Sequence, residues 1–169
     1  PASFWPHKNH KVLIDALALL DDTQSCLVLT GTNEGMEDTL KGYAREKGLE
    51  NRVKFLGRVT DKEVQGLISQ SLGVLMPSML GPTNYPPLEA LRLGVPSVVS
   101  TAHHFDEIPE GGLVDIEAGN AEQWAREMTR LSRSPGQVPA LDAGNKSSQV
   151  KVHRILESFQ KTHEVMRLG

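Results

Sequence analysis

The chain has 169 residues, 38% of them hydrophobic and 23% charged, with a formal net charge of −3. That length supports one domain with a buried core, and the near-neutral balance argues against nucleic acid as the main partner. The one cysteine excludes an intrachain disulfide framework, and no apolar run approaches the ~20 residues that cross a bilayer.

The opening Pro1-Ala2-Ser3-Phe4-Trp5 lacks an initiator Met and a signal peptide, and reads as a start inside a larger protein. Residues 8–20 place Leu13, Leu17 and Leu20 on one helical face, with Ala16 beside them. Cys26-Leu27-Val28-Leu29 is a short apolar run ending at Thr30-Gly31, as in a strand buried on both faces, with Cys26 as a small core residue. Residues 36–47 read as a helix closed by Gly48, and residues 53–57 as the next strand.

Thr60-Asp61-Lys62-Glu63 is a capping box, in which hydroxyl and carboxylate each satisfy an amide at a helix start. Residues 73–76 form a third strand, stopped by Pro77. After a polar, proline-rich loop over 78–86, a short helix is expected to begin near Pro87 and close at Gly94. Residues 95–100 are a fourth strand and 112–116 a candidate fifth; Asn120 caps a helix running to about Ser132.

Strands separated by helices imply a parallel sheet covered on both sides, with right-handed crossovers. Ligands bind such sheets beyond the carboxyl ends of the strands. Gly31-Thr32-Asn33, Gly57-Arg58, the loop from Pro77 to Tyr85, and Ser100-Thr101 should therefore line one rim.

Residues 134–148, rich in Pro, Gly, Ser and Ala, are the linker candidate, dividing a domain over 1–133 from a tail over 149–169. In the tail, Val152, Ile155, Leu156, Phe159 and Met166 recur near helical spacing, among Lys151, Arg154, Lys161 and Arg167. This basic amphipathic helix packs on its own domain, on a partner domain, or on anionic lipid at a membrane surface.

The stretch 77–91 concentrates the chemistry. A strand delivers the chain into a loop of small and rigid residues that enters a helix. The first turn of that helix presents unpaired amides and a positive dipole end, a setting that suits phosphate. Glu89 is expected in that turn, and a carboxylate accepts two hydrogen bonds side by side, as the paired hydroxyls of a ribose offer them. Alone, Glu89 reads more readily as a complement to the helix dipole, worth about 0.3–1 kcal/mol.

The whole stretch resembles the retaining GT-B glycosyltransferases of the large family that includes sucrose, trehalose and lipopolysaccharide glycosyltransferases. Their C-terminal domain carries a motif like P-S-x-x-E-G-F-G-L-P-P-L-E-A, then G-x-P-V-V-x-S. Pro77-Ser78, Pro86-Pro87-Leu88-Glu89-Ala90, Gly94-Val95-Pro96 and Val98-Val99-Ser100 match it in order and spacing. Phe55-Leu56-Gly57 and Leu27-Val28-Leu29-Thr30-Gly31 resemble two further strands of that family, and Pro6-His7-Lys8-Asn9-His10 the opening of its first helix. The resemblance covers residues 1 to about 132.

It implies a Rossmann-like doubly wound α/β sheet, one half of a GT-B fold, that binds a nucleoside diphosphate sugar. Lys8 would neutralise the diphosphate and Glu89 would hold the ribose, and these two are the expected catalytic residues. Thr83, Asn84 and Tyr85 would meet the sugar and phosphates through backbone amides, with Ser78, Leu88 and Gly31 alongside, and Gly57 and Arg58 would read the base. No metal or other cofactor is implied. The N-terminal, acceptor-binding domain would be the partner, and nucleotide-sugar supply with the lone cysteine points to the cytoplasm.

Two positions depart from the pattern. Gly81 stands where the first glutamate of a pair is usual, and Ser3 falls near the place of a phosphate-binding arginine. Both keep open a second reading, a non-catalytic nucleotide- or partner-binding module. His103-His104 lacks a third ligand at metal-binding spacing, and Gly31-Thr32-Asn33-Glu34-Gly35 lacks the glycine fingerprint of a dehydrogenase.

Overall fold

A computed structural model describes residues 2–80, 85–101 and 113–133. A 3-10 turn, Pro6–Lys8, leads into α1 (His10–Ala18), followed by β1 (Leu27–Thr30), α2 (Glu37–Glu46) and β2 (Val53–Gly57). Then come α3 (Asp61–Ser69), β3 (Val74–Met76), α4 (Tyr85–Arg92), β4 (Ser97–Ser100), β5 (Val114–Ile116) and α5 (Ala121–Arg133). The linker over 134–148 and the tail over 149–169 lie outside the described residues, as do Gly81 to Asn84 and His103-His104.

Sequence chemistry accounts for most element ends. The capping box forms: the Glu63 amide donates to the Thr60 hydroxyl at 3.3 Å, and the Thr60 amide to the Glu63 carboxylate at 2.7 Å. Asn120 caps α5, its side-chain oxygen accepting from the Gln123 amide at 3.1 Å. Asn9 interrupts the helix expected over 8–20: it adopts φ 52° and ψ 37°, a left-handed conformation that asparagine tolerates. Its side-chain amide donates to the Ala118 carbonyl at 2.8 Å, anchoring the break to the loop between β5 and α5.

All strand pairings are parallel. Neighbouring residues of β4 show why helices lie on both sides. Val98 packs with Phe4, Leu13 and Trp124, from the side of α1 and α5, while Val99 packs with Ile68, Met76 and Ala90, from the side of α3 and α4. Both valines are fully buried, as a strand covered on two faces requires.

The sheet is not continuous, however. The strands form two blocks, β1-β2 and β3-β4-β5, with no pairing between β1 and β3. Nor is β1 buried throughout: Val28 is 43% exposed, and its register neighbour Lys54 shares that uncovered face. Cys26, expected in the core, is exposed instead, because it precedes β1 rather than forming part of it.

Candidate functional site

The rim expected from the alternation of strands and helices is assembled by a few specific bonds. The Met79 amide, just beyond β3, donates to the His7 carbonyl at 2.8 Å. This bond fixes the Pro6–Lys8 turn against the loop that follows β3, although the two are 72 positions apart in sequence (79 − 7). Lys8 is half-buried there, and desolvation pushes its amine below the ordinary lysine range.

Ser78 sits beside this turn with its side chain fully buried. Its carbonyl accepts from the Ser100 hydroxyl at the end of β4, which ties two adjacent strand ends together. The Ser78 hydroxyl itself finds no hydrogen-bond partner among the described residues. Lys8, His10, Thr30 and Ser78 line one cavity of about 610 Å³.

At the next strand ends, the Gly31 amide donates to the Gly57 carbonyl at 2.9 Å, bringing together two residues that sequence alone had placed on one rim. Gly31 must be glycine: its φ is 151°, and a Cβ there would lie 2.1 Å from the Ala2 carbonyl oxygen. Arg58, next along, is exposed to solvent.

The helix after the third strand begins at Tyr85, two positions before Pro87, so Glu89 lies in its second turn rather than its first. Pro86 and Pro87 carry no amide hydrogen, so Tyr85 alone among the first three helical residues can donate one. Anion-binding amides at this helix must then come from Tyr85 and residues before it. The fixed φ of both prolines explains the early start. Leu88 turns its side chain into the core, leaving backbone atoms for any ligand contact. Glu89 is half-buried, and burial first, then the negative charge of Asp61, raises its carboxyl above the usual range. Thr83 and Asn84 fall outside the described residues.

Sequence reading missed three features of this region. His10 is buried, with its ring edge-on to Phe4 at 5.2 Å, and burial, with help from the Lys8 charge, lowers it to about 4. Asp61 was legible only as part of a helix cap, yet its charge acts on Glu89. The His7–Met79 bond involves backbone atoms alone, so no residue type could signal it.

A parallel α/β layer with helices on both faces and these residues at its strand ends is Rossmann-like, one half of a GT-B fold. The profile of the family described as "Glycosyl transferases group 1" matches residues 2–149, and the chain belongs to that family. It is 24% identical over 135 residues to the O-antigen chain mannosyltransferase RfbU of Salmonella typhimurium, covering 79% of this chain and 38% of that protein. Among solved structures it is similar to Anabaena Alr3699/HepE in complex with UDP, with 25% identity and a TM-score of 0.74, over 95% of this chain and 48% of that one. Sucrose-phosphate synthase from Thermosynechococcus elongatus shares the fold at 21% identity and a TM-score of 0.74, over 100% of this chain and 46% of that one. The chain thus spans less than half the length of each. No helix among the described residues is long and apolar enough to cross a membrane.

Proposed function

We propose that this chain is the donor-binding half of a cytoplasmic glycosyltransferase, which moves a hexosyl group from a nucleoside diphosphate sugar to an acceptor with retention of configuration. The observation that carries the reading is a partly desolvated cation, Lys8, held beside the β3 loop by the His7–Met79 bond. The complex of the Anabaena relative with UDP makes UDP the first donor nucleotide to test.

In such a transfer the bond from the anomeric carbon to the diphosphate oxygen breaks, and a bond to the acceptor oxygen forms. The acceptor hydroxyl loses its proton to the departing diphosphate. Positive charge grows on the sugar while negative charge grows on the leaving group. A fixed cation and oriented amides stabilise that leaving group where it forms, and a low-dielectric setting strengthens them. Lys8 supplies the cation and residues 83–85 the amides, so the step requires no metal. Glu89 holds the ribose by paired hydrogen bonds, with Gly57 and Arg58 near the base.

The acceptor is held by residues outside this chain. The isolated chain therefore binds the donor without appreciable transfer, and calorimetry with UDP and GDP, paired with an assay for UDP release from UDP-glucose, tests both parts. Binding without release is the expected result, and rapid turnover by the isolated chain would refute it. Gly81 in place of an acidic residue, with Ser3 near the place of an arginine, motivates the rival reading, a non-catalytic nucleotide- or partner-binding module. In its partner-binding form, Glu89→Ala leaves partner binding unchanged.

A further inference from the structure

The turn that carries Lys8 also presents an aromatic side chain for which the donor site has no use. Trp5 precedes Pro6, and a residue before proline is held in extended backbone; Trp5 adopts φ −82° and ψ 146°. Its carbonyl accepts from the Lys8 amide at 3.0 Å, and the Pro6 carbonyl from the Asn9 amide at 3.1 Å. The His7–Met79 bond then fixes the turn to the loop after β3. The indole of Trp5 therefore projects from a backbone that is held in place.

The chain has two tryptophans, and their settings differ. Trp124 is fully buried and its indole nitrogen donates to the Glu117 carbonyl at 3.2 Å, whereas Trp5 is 46% exposed. Tryptophan brings a large apolar area, and binding sites use it for contact. The Trp5 ring lies nearly parallel to that of His7, at 18°, with centroids 6.5 Å apart, an offset stack. Single exposed apolar residues are ordinary on a protein surface. Here Trp5 and Met79 both adjoin His7, and Met79 and the next residue, Leu80, are exposed as well.

None of these four residues lines the cavity that Lys8 and Ser78 share, so the patch is a surface open to solvent. An open ring surface suits a flat ligand, whereas a lipid chain needs an enclosing groove to leave water. A pyranose ring is such a ligand. Its axial C–H groups make one face apolar, and they direct partial positive charge to the negative face of an indole. Its hydroxyls project from the ring edge and stay in water or meet polar neighbours such as His7.

We infer that Trp5, stacked on His7, is the platform for a pyranose ring of a saccharide acceptor. The inference rests on the donor-binding reading of Lys8, which fixes where transfer takes place, and it names the acceptor class. Trp5 and Lys8 are three residues apart, roughly 6 Å along a 3-10 turn, so the platform adjoins the cation that meets the leaving group. A donor is held through its charged diphosphate. An uncharged sugar acceptor offers no such handle and depends on contact area, which Trp5 supplies.

Saturation-transfer NMR on the full-length protein with UDP present tests it, using the methyl pyranosides of glucose, galactose and mannose as probes. At least one pyranoside should receive saturation, strongest at the C–H protons of one ring face. The signal should be lost in Trp5→Ala and retained in Trp5→Phe, which keeps an aromatic face. UDP affinity should be equal in all three proteins, because any residue at position 5 supplies the carbonyl that accepts from Lys8. A fall in UDP affinity in Trp5→Ala would make the residue a support of the donor site and overturn the inference. Equal signals in parent and Trp5→Ala, or none from any pyranoside, would overturn it too. So would displacement of the pyranoside by UDP-glucose, which would put that sugar in the donor's place, or saturation of geranyl phosphate alone, which would assign the patch to a lipid. If UDP fails to bind the parent, the donor reading fails, while a Trp5-dependent pyranoside signal would still support the platform.

Discussion

The amide of Met79 donates to the carbonyl of His7 at 2.8 Å, and through this one backbone bond the turn carrying Lys8 is seated against the loop that follows β3. The lysine and the approach to α4 come from distant parts of the chain, and among the described residues no other backbone hydrogen bond joins them.

Removing that bond should therefore weaken diphosphate binding without unfolding the protein. Met79→Pro deletes the donor, while Met79→Ala keeps it, and the methionine side chain is 48% exposed, so its loss costs little. An intramolecular hydrogen bond contributes about 0.5–1.5 kcal/mol, so UDP affinity should fall roughly two- to twelvefold in Met79→Pro and stay level in Met79→Ala. Equal affinities in the two variants would separate Lys8 placement from this bond.

Lys8 should give binding an alkaline limb. Burial lowers its pKa in the free protein, and a bound diphosphate, by favouring the charged form, raises it again. Affinity is then full below the lowered pKa and declines as pH rises through it, at values under the ordinary lysine pKa of 10.5. Lys8→Met should lose roughly ten- to a hundred-and-fifty-fold in affinity, the effect of about 1.5–3 kcal/mol for a charged hydrogen bond, and should lack the alkaline limb. An unchanged limb in the variant would assign it to another group.

Glu89 should weaken the fold that carries it. Its carboxyl is raised above 4.5 by burial and by Asp61, so the charged form is held at a cost whenever pH exceeds the raised pKa. Glu89→Gln should raise Tm near neutral pH, and the gain should vanish as pH falls through the raised pKa towards 4.5. Thermal unfolding of both proteins across that interval checks the sign. A variant less stable than the parent at neutral pH would show that the carboxylate is structural.

His10 should make the chain labile to acid. Its folded value of about 4 lies below the usual 6.5, so the stability it contributes is complete above 6.5 and is lost as pH falls towards 4. At 1.36 kcal/mol per pH unit, the whole effect is about 3 kcal/mol. Urea unfolding at both ends of the interval should show this loss in the parent and a flatter profile in His10→Gln. Parallel profiles would place the acid sensitivity elsewhere.

Much of the fold was legible because local chemistry dictated it. The span of β2, the capping box at Thr60 and the Asn120 cap are set by neighbouring residues, and each forms as expected. What could not be read depends on distant partners. Cys26 lies in an apolar run, but whether that run begins a strand was decided by pairing with β2, which starts at Leu27. Asn9 breaks the first helix because its side chain finds Ala118, more than a hundred residues away. The early start of α4 lay in the Pro86-Pro87 pair, whose fixed φ suits the first turn but whose missing amides empty it of donors. Among the candidate site residues, Gly31, Gly57 and Ser78 fall at strand ends because an α/β layer gathers its loops there, and the His7–Met79 bond brings the turn carrying Lys8 to them. Apart from the Ser100 hydroxyl on the Ser78 carbonyl, the bonds that seat them join backbone atoms, which carry no mark in the sequence.

The most direct test of the central claim is calorimetric titration of UDP into the full-length protein and its Glu89→Ala variant. The parent should bind, and the variant should bind roughly ten- to a hundred-and-fifty-fold more weakly, as expected for losing about 1.5–3 kcal/mol of charged hydrogen bonding. Equal affinity in the two proteins, or no binding of UDP or GDP by either, would contradict it.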